Sequence, residues 1–145
     1  MKENNELLIL IHENTKMGIT STKKLLKLIK NKDNKIKFLL EEELQRYEEL
    51  FKKCKKLMKR EKLEVNPKGL LANLTSSVAM TMEVSKDNSD SKIASILSRG
   101  FNMGNIDIET KMKNYKKEAK SETLDLASDL LKFGEKQIKL LKEYL

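Results

Sequence analysis

Apolar residues recur along this chain at steps of three and four, the period of helices buried on one face. From about Glu3 to Lys30 the row runs Leu7, Ile11, Asn14, Gly18, Ser21, Leu25 and Leu28. The turn "NKDN" (31–34) follows, with Asp33 or Asn34 placed to cap the next helix. A second row, Ile36, Leu40, Glu43, Tyr47, Leu50, Cys54 and Leu57, predicts a helix over about 34–61. "EVNPKG" (64–69) breaks the period: Asn66 reads as an N-cap and Pro67 as the first residue of a short helix over 67–84. That helix is weakly amphipathic, with Leu71, Leu74, Val78 and Met82 on one side. Beyond the polar stretch "SKDNSDS" (85–91), a third long helix over about 89–117 carries Ile93, Leu97, Gly100, Gly104, Ile108, Met112 and Tyr115. The fourth, over about 121–144, carries Ala127, Leu131, Gly134, Ile138, Leu141 and Leu145.

Helices of about 28 residues span about 40 Å. Two short turns make the first and second, and the third and fourth, antiparallel neighbours. The 62–90 connection has the length to run from one end of the bundle to the other. The expected fold is all-α: one domain over 1–145, a ferritin-like four-helix bundle of two αα hairpins joined by a long crossover that carries a short extra helix. The first and third long helices each hold a Met-Gly pair at mid-length, Met17-Gly18 and Met103-Gly104. A mid-helix glycine costs about 1 kcal/mol relative to alanine. Gly18, Gly100, Gly104, Met17 and Met103 are therefore expected to pack at the bundle centre, where a neighbour needs the space.

Composition supports the helical reading: of 145 residues only 5 are Gly and 1 is Pro, which leaves few places to turn. A net charge of +8 raises the question of nucleic acid. Against it, aromatics are 5% of the chain, Arg46, Arg60 and Arg99 are the only arginines, and no nucleic-acid-binding signature appears. The densest basic run, "KKCKKLMKREK" (52–62), falls at a helix C-terminus, where lysines offset the helix dipole. Cys54 is the single cysteine, which excludes an intrachain disulfide and suits a reducing compartment. No signal peptide or membrane-length apolar run is present, so the expected location is the cytoplasm, without membrane contact.

The bundle centre invites a metal. Di-iron bundles take a Glu from each of two helices and Glu-x-x-His from each of the other two. Here the one histidine, His12, forms no such motif; Glu43 is followed three residues on by Arg46, and Glu135 by Ile138. Two accounts of Glu43 stand, beside a one-residue shift of the row that would put it in solvent. It is paired with Arg46, Lys16 or Lys111, or hydrogen-bonded to Asn14, Ser21 or Tyr47, because a buried carboxylate is expensive unless partnered. Otherwise Glu43, Asp107, Asn14 and His12 together hold iron or another divalent cation. No paired acid and base, nucleophile set or phosphate loop points to an enzyme.

The stretches "NPKGLLANLTSSVAM", "SKIASILSRGFNMGNIDIETK", "NTKMGITSTKKLL" and "LLKFGEKQIKLLKEYL" resemble an uncharacterised family of small four-helix-bundle proteins of low-GC Gram-positive bacteria. That family is similar in build to ferritin-like domains. The resemblance covers nearly the whole chain and implies the bundle fold, but no activity. The resulting expectation is a non-enzymatic bundle without a cofactor, acting as a homodimer or with a protein partner, with Val78 and Met82 as the interface. The alternative is a diverged ferritin-like redox or storage protein with an incomplete di-iron site.

Overall fold

The computed structural model of the chain describes residues 2–64, 80 and 83–145. Its long helices are α1 (Lys2–Leu28), α2 (Lys37–Arg60), α3 (Asp90–Tyr115) and α4 (Ser121–Leu141), with a 3-10 turn at Lys142–Tyr144. No strand occurs among the described residues. Every end lies within three residues of the position that apolar spacing predicts. The expected helix over 67–84, with Val78 and Met82, lies outside the described residues but for Met80 and its last two positions; residues 83–86 are helical.

Local chemistry sets the ends. The Ser89 hydroxyl caps α3, accepting from the Lys92 backbone N–H at 3.2 Å. Helix α2 stops at a Schellman turn: Lys62 takes a left-handed φ of 55°, and Leu63 N–H reaches back to the Met58 carbonyl at 2.9 Å. One expectation fails here. Neither Asp33 nor Asn34 caps α2, whose N-cap is Ile36 with no side-chain bond. The Asn34 amide is turned away to bind the Asn88 carbonyl at 2.9 Å and Asp90 Oδ1 at 2.8 Å, a tertiary tie in place of a local one.

These ties fix the topology. The turn after α1 sits beside the start of α3. At the opposite end, the Lys120 N–H at the head of α4 donates to Asn4 Oδ1 at 2.9 Å, and Arg60 pairs with Glu122 at 2.7 Å. Helices α1 and α4 therefore run one way, α2 and α3 the other. Helices α2 and α3 are parallel, so the end of α2 and the start of α3 lie at opposite ends of the bundle. Around the bundle the order is α1, α2, α4, α3, each antiparallel to its neighbours; α1 also touches α4 across one diagonal, while across the other the α2 and α3 backbones stay apart and only side chains meet.

Leu7, Leu8, Ile11 and Leu25 of α1 and Leu40, Leu50 and Cys54 of α2 are fully buried. The middle of α1 departs from the expected row. Thr15, Ile19 and Thr22 are buried, whereas Asn14, Gly18 and Ser21 are half-buried one residue to the side. Helix α1 faces α2 and α3 at once: Asn14 stands against Gly104 of α3, and Gly18 against Tyr47 of α2. A similar shift in α3 puts Phe101 inside and leaves Gly100 exposed.

Candidate functional site

The glycines explain themselves by what stands over them. At Gly18 the Tyr47 ring occupies the place of a Cβ, so a side chain there would drive the ring off α1. At Gly104 a Cβ would lie 2.7 Å from the Asn14 amide nitrogen. Gly134, not anticipated, gives its Cβ space to the Asn105 side chain. Gly100 has nothing within 4 Å and is no part of the centre, contrary to expectation. Met103 is a second correction: it is 69% exposed, because α3 turns its 103 and 106 positions outward.

The Tyr47 ring stacks on Phe101 at 5.9 Å between centroids and meets Phe133 edge-on at 4.9 Å, forming an aromatic wall from α2, α3 and α4. Edge-to-face contacts of this kind are favourable beyond the area they bury. Phe101 and Phe133 stand one residue off the apolar rows that sequence spacing picks out in their helices.

Glu43 lies one turn before Tyr47 and is 1% exposed. Its partners are not the expected ones. Thr22 Oγ1 lies 2.9 Å from Glu43 Oε2, and Gln137 Nε2 donates to Oε1 at 3.2 Å. Among the described residues no lysine or arginine pairs with it: Arg46 bonds Glu49 at 3.0 Å, Lys111 lies 4.0 Å from Glu6, and Lys16 sits over the Phe51 ring. Burial without a counter-charge pushes the Glu43 carboxyl up to about 7, against the pull of the Thr22 and Gln137 hydrogen bonds.

Counting hydrogens gives the same direction independently. Thr22 Oγ1 lies 2.7 Å from the Gly18 carbonyl as well as 2.9 Å from Glu43. A hydroxyl has one hydrogen and the carbonyl only accepts. Both short contacts are full hydrogen bonds when the Glu43 carboxyl carries a proton and donates it to Thr22, which donates in turn to Gly18. The site is a protonatable acid in an otherwise neutral hydrogen-bonded chain.

Beside it opens a cavity of about 410 Å³ between α1 and α3. Leu10, Met17, Tyr47, Ile96, Leu97 and Phe101 supply its apolar wall, with Met80. Glu43 and Thr22 line its buried end; Asp107 and Met103, both exposed, lie at its mouth. Glu13, Asn14, Gly18, Ser21, Gly100 and Gly104 complete it, so the polar and small positions of both rows border a hollow and not a packed seam.

Of the four residues considered for a metal, Glu43, Asp107 and Asn14 share this cavity and His12 does not. His12 packs its ring on Phe51 at 5.0 Å on the other side of α1. Its pKa is lowered, first by burial and then by Lys16 and Lys55. Among the described residues no three His, Cys, Asp or Glu side chains are grouped to hold a metal ion. Cys54 is a buried thiol whose Sγ donates to the Leu8 carbonyl at 3.3 Å, and burial pushes its pKa up to about 12. It is inert packing, not a nucleophile.

No family model, curated protein or solved structure matches the chain, so the family resemblance rests on the quoted residues alone. Among the described residues no helix is long and apolar enough to cross a membrane.

Proposed function

We propose that this protein is a non-enzymatic helical bundle that binds a small, mostly apolar molecule between α1 and α3. The cavity carries this reading: it is largely apolar, has a few convergent polar groups, and ends on a carboxyl with a displaced pKa. The crossover order of the helices supports a ferritin-like bundle with its usual metal centre replaced by an organic pocket. At roughly 30 Å³ per non-hydrogen atom the cavity takes about a dozen. Calorimetric titration with octan-1-ol and octylamine tests the reading. Saturable binding of at least one is expected, abolished by Ser21→Trp, which fills the cavity from α1. If neither binds at millimolar concentration, or if Ser21→Trp binds as wild type does, the reading fails.

A second reading, self-association, draws on Met103 and Ile106, which are 69% and 63% exposed on one side of α3. It predicts a dimer at micromolar concentration that Ile106→Lys dissociates; a wild-type monomer in sedimentation would remove it. The diverged metal-binding alternative draws on Glu43 and Asp107 sharing a cavity. It predicts stoichiometric ferrous iron after anaerobic loading, lost in Glu43→Gln.

A further inference from the structure

The walls of the cavity carry a charge pattern opposite to that of the rest of the chain. The protein has 30 Lys and Arg against 22 Asp and Glu. Three other hollows in the described surface are each lined by at least three lysines or arginines, in two of them balanced by three carboxylates and in the third by none. Among the described residues, the cavity between α1 and α3 is lined by three carboxylates, Glu13, Glu43 and Asp107, and by no lysine, arginine or histidine. One of the three, Glu43, is almost fully enclosed with only neutral partners. A buried carboxylate is normally matched by a positive charge, and here no described side chain provides one.

We propose that an organic monocation with an apolar body, a primary or quaternary amine of about a dozen non-hydrogen atoms, is the ligand, with its ammonium group on Glu43. The inference rests on the pocket reading above and narrows it. Once Glu43 has given up its proton, Thr22 and Gln137 each donate to one lone pair of the carboxylate, leaving others for an ammonium donor. The Tyr47 and Phe101 rings, stacked on each other, line the cavity beside Glu43. The methionines and leucines take the alkyl body, and Asp107 and Glu13 draw the cation to the mouth through an otherwise repulsive field. The net charge of +8 makes adventitious adsorption of a cation elsewhere unfavourable.

Binding an ammonium ion displaces the Glu43 proton, so affinity is linked to pH. The titratable groups that face the cavity are Glu13 from α1, Glu43 and Tyr47 from α2, and Asp107 from α3; α4 brings only the neutral Gln137 to Glu43. Affinity for an amine therefore rises as pH passes from 6 to 8, and Glu43 dominates the change.

The test compares octylamine, octan-1-ol and octanoate, which share a chain length and differ in charge, by calorimetry at pH 6 and pH 8. The expected result at pH 8 is octylamine at least tenfold tighter than octanol, with octanoate not bound. Glu43→Gln, nearly isosteric, should erase both the preference and its pH dependence while still binding octanol. Asp107→Asn, at an exposed position, should reduce the preference two- to threefold without disturbing the fold. Octanol binding as tightly as octylamine would overturn the cation assignment and leave the pocket standing. An amine preference that survives Glu43→Gln would overturn the role of Glu43, and no binding of any probe would overturn both readings.

Discussion

Helix α1 meets its two neighbours through two different surfaces. On its packed side Leu7, Leu8, Ile11 and Leu25 are fully buried, and Gly18 and Thr22 meet Tyr47 and Glu43 of α2. Toward α3 it brings Asn14 and Ser21 to the cavity, and the opposing stretch of α3 answers with Gly100 and Gly104. Small and polar residues on both sides leave no volume to interdigitate, so the same helix is half of a packed hairpin and half of a cavity wall. A close-packed interior is stabilised by every methylene. A hollow of about 410 Å³ forgoes that contribution. The difference separates what holds the bundle together from what it has available to do.

The largest effect that would break this contrast is a truncation on the packed side. Leu40→Ala removes a fully buried side chain from α2 and should cost about 2–5 kcal/mol. Met17→Ala, on the half-buried cavity wall, should cost about 1 kcal/mol or less, because its contacts are already incomplete. Urea midpoints at a shared slope measure both. Equal losses would mean that the α1–α3 face is as well packed as the hairpin.

The next effect belongs to Glu43. Its folded carboxyl is raised to about 7 from an ordinary 4.5. The folded state thus holds a proton that the unfolded state has released between these values. The stability this contributes is fully present below about 4.5 and is lost as pH rises through about 7. The loss amounts to about 3 kcal/mol. Glu43→Gln keeps the shape and cannot ionise. It should be more stable than wild type by up to about 3 kcal/mol at pH 8, with the difference shrinking toward pH 4.5. Parallel stability–pH curves for the two proteins would show that Glu43 loses its proton over the same pH range in the folded and unfolded chain, and that burial does not hold it neutral.

Much of this was legible in the sequence, for reasons that differ by residue. Helix ends followed from apolar period and turn residues, since both are local. The crossover followed from the length of 62–90. Glu43 was recognisable as buried because it stands in register with Leu40 and Tyr47 on one row. Its partners were not, because Thr22 and Gln137 come from two other helices, and the rotation of one helix against another is absent from either helix's own period. Thr22 was missed by one position: the row through Ser21 runs beside it, into the cavity. Gly100 was misplaced for the same reason, since Phe101 beside it takes the inward position. A signal for Gln137 did exist: it is three residues from Gly134 and four from Phe133, on the buried face of α4.

The smallest effects sharpen the contrast best, because they use one substitution at two glycines. An alanine gains about 1 kcal/mol over glycine in a helix interior. At Gly100 nothing opposes the new methyl, so Gly100→Ala should raise stability by about 0.5–1 kcal/mol. At Gly18 the methyl collides with the Tyr47 ring, and that ring is held by Phe101 and Phe133 and has nowhere rigid to go. Overpacking of that kind costs about 1–3 kcal/mol, so Gly18→Ala should lose stability despite its better helix propensity. Gly104→Ala falls between them, since the Asn14 amide it meets is the mobile end of a half-buried side chain. Thermal unfolding of the three variants should therefore rank them Gly100→Ala, Gly104→Ala, Gly18→Ala from most to least stable. If Gly18→Ala matched Gly100→Ala, the Tyr47 ring would have yielded into the cavity, and the binding of octan-1-ol should then fall in that variant as the hollow fills.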